Sequence, residues 1–409
     1  MNVFIITILI LFALVVLFFA GALFDIYRGM KVKHPKLPES RFITGANRLT
    51  YFANGRELYN DMKQSIEEAR HHIHLCFFIF NVDDVGIEWL DLLKKKAEEG
   101  VKVRLLVDSL TGLSLKRELP SLKQTGIQVV FSGKIRFPYT FYYISRRNHR
   151  KIAVIDGKIG YFGGFNVSRE YIGNKPEMGA WHDNHLKVEG ESCRDLQKQF
   201  FKDWKRAGGS PIESVDASHD EAYFPRLPKG PSSLTLLATN GKQVEDVFAE
   251  KLGGAQSSII IGSPYFIPTR RLMDVLIDRL NHGVELKILL PMKRDHPFVK
   301  PASFLYLETL VEKGAELYHF YQGFYHAKLF VVDQRLCYLG TANFDQRSFY
   351  WDDELLGLTD DRDVIHQVLD QLNREIREQS KPVTLQDIRN RSFGEKLKSA
   401  CSGWFSFFL

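Results

Sequence analysis

Residues 3 to 24 carry no charge and consist overwhelmingly of Ile, Leu, Val, Phe and Ala. At about 1.5 Å of rise per residue, a helix over this run reaches roughly 33 Å, enough to cross a bilayer. No Lys or Arg precedes it, whereas Arg28, Lys31, Lys33 and Lys36 follow it. By the positive-inside rule that asymmetry places the C-terminal side in the cytoplasm. A cleaved signal peptide competes with this reading, because Ala20-Gly21-Ala22 has the small residues of a cleavage site. Such a peptide carries a basic N-terminal region, which this segment lacks, so residues 1–30 are expected to remain as a single-pass anchor.

After the anchor the pattern changes to short apolar runs separated by amphipathic stretches. Residues 31–50, with Pro35 and Pro38, are expected to form a juxtamembrane linker. Over 51–207 the periodicity predicts helices at Glu57–Ala69 and Gly86–Glu99, with strands at Ile73–Phe80, Val101–Val107 and Ile127–Phe131. Residues 208–232, rich in Gly and Pro, read as an inter-domain connection. Over 233–381 the same grammar returns. Helices are predicted at Val244–Leu252, Leu272–Asn281 and Leu305–Lys313, and strands at Ser258–Ile261, Val284–Leu290 and Ala315–Tyr321. An amphipathic helix at Arg362–Ser380 is expected to break at Pro382. The tail 382–409 then ends in an aromatic cluster that fits bilayer contact, a docked end or a frayed one equally well. Strands alternating with helices predict an α/β fold with parallel pairing and right-handed crossovers.

The two halves are copies of one another. Gly100-Val-Lys-Val-Arg-Leu-Leu-Val107 aligns with Gly283-Val-Glu-Leu-Lys-Ile-Leu-Leu290. More telling is His149-x-Lys151 with Asp156, followed by Gly163-Gly164-Phe165-Asn166. It returns as His326-x-Lys328 with Asp333, followed by Gly340-Thr341-Ala342-Asn343. One His-x-Lys carries little information, but two copies with the same Asp and Asn offsets point to duplicated domains. If these pack about a pseudo-two-fold axis, two imidazoles, two ammoniums and two carboxamides converge on one pocket.

That set fits a phosphodiester. Lys151, Lys328, Asn166 and Asn343 can donate to the non-bridging oxygens. One histidine can attack phosphorus while the other, protonated, gives its proton to the leaving alkoxide. His149 is favoured as the nucleophile, although the symmetry of the motifs leaves the roles open. Asp156 stands before Gly157, a hairpin-turn signal, so Asp156 and Asp333 have an architectural reading beside a catalytic one. A nucleophilic imidazole also needs its other nitrogen held. Asp183 and His185 downstream of His149, and Glu354 downstream of His326, are the candidates.

Composition narrows the field further. With 409 residues, 25% charged and 44% apolar, the chain is long enough for two globular domains. Its four cysteines show neither close pairing nor metal spacing, and no carboxylate cluster suits a divalent ion, so no metal or cofactor is expected. The formal charge of +6 implies mild attraction to anions. Lys134, Arg136, Arg146, Arg147, Arg150 and Lys151 fall in one stretch without an acidic residue, largely an insertion relative to the second half. Its run Arg136-Phe-Pro-Tyr-Thr-Phe-Tyr-Tyr143 fits a loop dipping into lipid headgroups, or an ordinary solvated loop.

From about residue 50 to 380 the chain resembles the phospholipase D superfamily, and within it the bacterial cardiolipin synthases. The paired motifs carry the likeness, together with Trp181-x-Asp183-x-His185-Leu, Ser263-Pro-Tyr-Phe-Ile-Pro268, Gly323-Phe-Tyr-His-Ala-Lys328 and Gly340-Thr-Ala-Asn-Phe-Asp-Gln-Arg-Ser348. The resemblance implies two duplicated phospholipase D-like α/β/α sandwich domains sharing a central active site and a covalent phosphohistidine. It implies condensation of two phosphatidylglycerols into cardiolipin with release of glycerol, at a bacterial cell membrane. His149 and His326 would be the histidine pair, with Lys151, Lys328, Asn166 and Asn343 on phosphate. An anionic phospholipid bilayer is the expected partner, with neither nucleic acid nor a protein partner. Two departures stand out. Many relatives have two N-terminal membrane segments where one is found here, and Asp352-Asp353 precede Glu354 where the family commonly has an uncharged stretch. The acceptor therefore stays open, with a phospholipase D or transphosphatidylase using water or another alcohol as the alternative. A nuclease drawing on the basic stretch and a non-catalytic membrane scaffold are the remaining readings.

Overall fold

Side chains along the short apolar strands alternate between two cores. In the strand His72–Phe77, Ile73, Leu75 and Phe77 enter one core and Cys76 the other, and Ala153 and Ile155 part from Ile152 and Val154 in the same way. Strands buried on both faces read as continuous apolar runs, which is the pattern of the sequence. The computed structural model describes residues 3–33, 40–212, 221–241, 243–404 and 406–408.

The first half contributes β1 (Ser40–Asn54), β2 (His72–Phe77), β3 (Lys102–Asp108), β4 (Gln128–Ser132), β5 (Ile152–Ile155), β6 (Ile159–Gly163) and β7 (Ala180–Gly190). The second contributes β8 (Ser232–Ala238), β9 (Ser258–Gly262), β10 (Glu285–Pro291), β11 (Glu316–Phe320), β12 (Gly323–Tyr325), β13 (Leu329–Val332), β14 (Leu336–Gly340), β15 (Leu355–Thr359) and β16 (Ser380–Val383). Among the described residues they form one sheet in the order β16-β11-β10-β9-β13-β14-β15-β8-β1-β7-β6-β5-β2-β3-β4, with β12 paired to β7 off this path. The order reads almost the same from either end of the central β8–β1 pair, which is the pseudo-two-fold relation expected of the duplication.

Helices cover both faces. Ser192–Arg206 from the first half and Arg362–Gln379 from the second lie over one core that runs through both halves. On the opposite face each half keeps a core of its own beneath its remaining helices. The structure is thus two α/β/α units sharing one sheet, with a layer of common core that ties them together.

Of the three connections, the first needs correction and the other two are resolved in detail. The linker expected over 31–50 is instead mostly β1, which pairs antiparallel with β7 on one side and β8 on the other. Its apolar positions are interrupted by Gly45, Asn47 and Arg48, which hides the strand in sequence, yet Phe42, Leu49 and Tyr51 pack on the common core. Pro35 and Pro38 lie outside the described residues, as do residues 213–220 of the inter-domain connection. The described ends of that connection are docked: Ile212, Tyr223 and Phe224 are buried in the common core. In the tail, Pro382 sits in the edge strand β16 opposite Tyr318, where a missing N–H is tolerated. The following helix Phe393–Trp404 packs on Val299–Glu312, and the Trp351 indole donates to the Phe407 carbonyl at 2.9 Å. The described tail is therefore docked on the second half; Phe405 and Leu409 lie outside the described residues.

The N-terminal helix runs from Val3 to Lys33, and Phe4–Lys33 is long and apolar enough to cross a membrane. It does not stand apart from the rest of the chain. The basic insertion forms a helix at Thr140–Ser145 that packs on it, and Asp25 Oδ2 accepts the N–H groups of Phe141 (2.8 Å) and Tyr142 (3.1 Å). Phe18 meets Phe141 edge-on at 5.5 Å. Gly29 lies so close that a Cβ there would stand 2.4 Å from Tyr142 Cβ.

Candidate active site

The His-x-Lys segments lie just ahead of β5 and β13 and are fastened to the opposite half. His149 donates its N–H to the Asp353 carbonyl at 2.9 Å, and Asp353 donates back to Arg147 at 2.8 Å. On the other side β12 pairs in parallel with β7, and His326 donates its N–H to the His182 carbonyl at 2.7 Å. This crossing of backbones puts His149 and His326 in the wall of one cavity of about 550 Å³. Asn166, Asn343, Trp181, Tyr171, Arg347 and Asp352 line it as well.

Each imidazole is held by a carboxylate from the other half. His149 Nδ1 lies 3.1 Å from both carboxylate oxygens of Glu354, and His326 Nδ1 lies 2.5 Å from Asp183 Oδ2. The sequence placed these groups downstream of the histidine in their own half; the tertiary structure exchanges them across the axis. The small-residue turns make room for this. A Cβ on Gly164 would come within 1.9 Å of Asp183 Oδ1, so glycine is what lets that carboxylate through. At the matching place Thr341 fills the space, and its hydroxyl donates to the longer Glu354. His185 does not hold either histidine. It is buried against Gly163 and the Phe165 ring, its Nδ1 has no partner among the described residues, and burial lowers its pKa to about 3.

The two His–carboxylate pairs are electrostatically unequal. Burial, followed by the neighbouring Lys151, holds the His149 pKa well below the ordinary value and favours its neutral form. Burial and Lys328 also lower His326, but Asp183 opposes them. Burial works to raise the Asp183 carboxyl, yet Lys328 and His326 more than reverse it, so Asp183 stays anionic. Glu354 is raised by burial against the pull of Lys151. The His326 side is accordingly the better place to keep a proton.

The lysines sit behind the histidines. Lys151 Nζ donates to the His149 carbonyl at 2.7 Å, and Lys328 Nζ donates to the His326 carbonyl and lies 3.6 Å from Asp183 Oδ2. Burial lowers Lys151 to about 7 and lowers Lys328 as well. Asn166 donates to the Tyr171 hydroxyl at 3.0 Å and accepts from the Ile79 N–H at 3.0 Å. Asn343 donates to Asp345 at 3.1 Å, and its Oδ1 is buried without a hydrogen-bond partner among the described residues.

Asp156 and Asp333 stand at the far ends of the four-residue strands β5 and β13, roughly 13 Å of extended chain from the cavity. The catalytic reading of these two is therefore corrected to an architectural one. Asp156 accepts the N–H groups of Arg70, His71 and His72 at 2.8 to 2.9 Å, and Asp333 those of Gln256, Ser257 and Ser258 at 2.7 to 2.9 Å. Each clamps the entry of the neighbouring strand against the motif hairpin.

The basic stretch is not an exposed patch either. Arg146 pairs with Asp353, Arg147 with Asp108 and Arg150 with Asp203, while Lys134 and Arg136 remain exposed. Asp352 pairs with Arg347 of its own half and accepts the Arg147 backbone N–H, whereas Asp353 is the counter-ion across the halves, pairing with Arg146 and Arg206. Arg146 in one half and Asp353 in the other, each within a run of like charge, were the available signal for the one pairing that crosses. Asn184 was missed; its Oδ1 accepts the Lys328 N–H at 2.8 Å. Among the described residues no group of three or more His, Cys, Asp or Glu could hold a metal ion.

Known proteins resemble this chain in sequence and in fold. The family model described as cardiolipin synthase, PLD-like domain, matches twice, at residues 62–204 and 248–376. The minor cardiolipin synthase of Bacillus subtilis (strain 168) is 36% identical over 410 aligned residues, covering 100% of both chains. A cardiolipin synthase of Oceanobacillus iheyensis is 35% identical over 88% of this chain and 74% of its own. Among solved structures, phosphatidylserine synthase of Haemophilus influenzae superposes with a TM-score of 0.66 at 17% identity, over 88% of this chain and 95% of that one, which shows a shared fold. With both halves matched and its full length aligned to one such enzyme, this membrane-attached chain belongs to the cardiolipin synthase family of phospholipase D-like proteins.

Proposed function

We propose that this protein is a cardiolipin synthase that moves a phosphatidyl group from one phosphatidylglycerol to another and releases glycerol. One observation carries the reading: two imidazoles line a single cavity, each with Nδ1 tied to a buried carboxylate of the opposite half. With Nδ1 engaged, the Nε2 nitrogen is the one offered to phosphorus. His149, the more strongly neutral of the two, attacks and forms the phosphohistidine. His326, backed by the Asp183 anion, gives its proton to the departing glycerol oxygen. In the second step the hydroxyl of another phosphatidylglycerol bonds to phosphorus, the N–P bond breaks, and the hydroxyl proton returns to His326. Lys151 and Lys328 supply positive charge from behind the imidazoles, and Asn166 and Asn343 face the phosphate oxygens from the cavity wall.

Lipid is the favoured phosphodiester for two reasons. The insertion that leads into His149 is packed on the membrane helix, which sets the catalytic body beside a bilayer. Arg146, Arg147 and Arg150, which a nucleic acid would need, are engaged internally. The Lys and Arg residues that follow the anchor support a body on the cytoplasmic side of a single-pass segment.

Purified full-length protein in phosphatidylglycerol vesicles, with no added metal or nucleotide, is expected to yield cardiolipin and glycerol by lipid mass spectrometry. Phosphatidic acid as the sole product would overturn the synthase reading. His149→Ala and His326→Ala are each expected to lower turnover by about 10² to 10⁴; near-normal turnover in either would remove that histidine from the reaction.

A further inference from the structure

The catalytic cavity has a neighbour. A second cavity of about 700 Å³ shares Trp181 and Tyr171 with it as a common wall. It lies between β1, β7 and the helix Arg362–Gln379, and Arg56, Glu57, His182, Asp370, Gln371 and Arg374 are among its lining groups. Such a lining holds water and small polyols and has little affinity for acyl chains.

Trp181 is built into that wall. Its indole lies 4.8 Å from the His326 ring on the catalytic side, 4.8 Å from the Tyr171 ring and 4.9 Å from the Phe324 ring. Its backbone is locked where the halves cross, because Trp181 pairs with Phe324 in the β7–β12 ladder. The neighbouring pair is tighter still: a Cβ on Gly323 would meet the Ala180 carbonyl at 2.0 Å. The indole N–H is buried and has no hydrogen-bond partner among the described residues. A buried donor left unpaired is a cost rather than a gain. The position therefore uses the area of the ring and not its polar atom.

We propose that Trp181 is the barrier that keeps water of this polar cavity away from the phosphohistidine, and so sets the partition between transfer and hydrolysis. The inference rests on the transfer reading given above. Water and a lipid hydroxyl complete the second step with the same balance. In either case an oxygen–phosphorus bond forms, the nitrogen–phosphorus bond breaks, and the proton of the incoming group passes to the second histidine. The product is phosphatidic acid with water and cardiolipin with phosphatidylglycerol. The histidine chemistry does not choose between them, so access has to. If the bound phosphatidyl group occupies the mouth of the catalytic cavity, the wall at Trp181 is the side from which water is held back.

The full chain in phosphatidylglycerol vesicles tests this, with water labelled in heavy oxygen and both products quantified by mass spectrometry. Trp181→Ala is expected to raise the ratio of labelled phosphatidic acid to cardiolipin by about tenfold, equivalent to about 1.4 kcal/mol of barrier. Trp181→Phe, which keeps an aromatic plate without the N–H, is expected to hold the ratio near that of wild type. If Trp181→Ala does not fold, Trp181→Leu, apolar but too short to span the gap, serves in its place with the same expected rise. A folded Ala or Leu variant with the wild-type ratio overturns the proposal, as does a Phe variant that leaks as much as Ala. Should wild type give phosphatidic acid alone, the transfer reading fails by itself. The barrier is then judged by rate, and a Trp181→Ala variant that hydrolyses no faster than wild type refutes it separately.

Discussion

Asp183→Asn changes one oxygen to an amide and leaves the shape of the side chain almost intact, so it isolates the charge that reaches across the halves. Asp183 Oδ2 is 2.5 Å from His326 Nδ1 and 3.6 Å from Lys328 Nζ; Asp183 and Lys328 are buried, and the His326 ring is partly exposed to the cavity. Removing the anion leaves a buried ammonium without its counter-ion, a loss of about 3 to 5 kcal/mol in comparable pairs. It also removes the cause that raises the proton affinity of His326, while burial and Lys328 continue to lower it. The sign follows directly. A general acid works while protonated, so a lower pKa moves the high-pH limb of kcat/KM toward lower pH, by one pH unit for each ~1.36 kcal/mol. Turnover at neutral pH is expected to fall by about 10² to 10⁴. Vesicle assays across a pH series, with a melting curve at each point, separate the catalytic shift from the loss of stability. Glu354→Gln is the control on the other limb. It weakens the hold on a proton at His149, which works when neutral, so the low-pH limb is expected to move down instead. A folded Asp183→Asn variant with wild-type turnover and an unmoved high-pH limb would show that the carboxylate does not act through His326.

Further outcomes test the parts around the pair. Asp333→Ala releases three backbone N–H groups and a serine hydroxyl, and is expected to lower stability by about 1 to 3 kcal/mol with kcat of the folded protein largely retained. Backbone N–H groups outweigh burial and hold the Asp333 pKa at about 2, below its ordinary value. Its contribution to stability is therefore present above the ordinary carboxylate range and disappears as pH falls toward 2; acid-unfolding curves of wild type and variant are expected to converge there. Gln334 follows Asp333 with φ at 53°, where its counterpart in the first half is Gly157. Gln334→Gly is expected to stabilise by about 1 kcal/mol in denaturant titrations, and a destabilised variant would contradict the strain. Gly29→Leu places a side chain where Tyr142 already stands. It is expected to lower activity on vesicles by about tenfold while leaving the soluble body folded, since a small displacement near His149 is costly; unchanged activity would uncouple anchor from site.

Much of this was legible in the chain because it depended on local pattern. The apolar length of residues 3–24, the strand and helix rhythm of both halves, and the two His-x-Lys motifs with their Asn offsets are written in consecutive letters. The Asp156-Gly157 turn was readable for the same reason: a left-handed pair of residues has a narrow vocabulary. What failed was what had no local cue. β1 was taken for a linker because a central strand satisfied by two neighbours tolerates Gly45, Asn47 and Arg48 in its length. The Arg146–Arg147 stretch looked like a surface charge because its counter-ions, Asp353 and Asp108, are remote in sequence.

The amino-acid order alone determined that there would be two copies of one unit, an apolar N-terminal helix and a pair of imidazoles fit for phosphorus. Tertiary structure alone decided that Asp183 serves His326 and Glu354 serves His149. Period and propensity act between residues a few positions apart, whereas a hydrogen bond between halves is set by how two cores close on one sheet. The exchange of carboxylates exists only once β7 meets β12 and Asn148 meets Asp353.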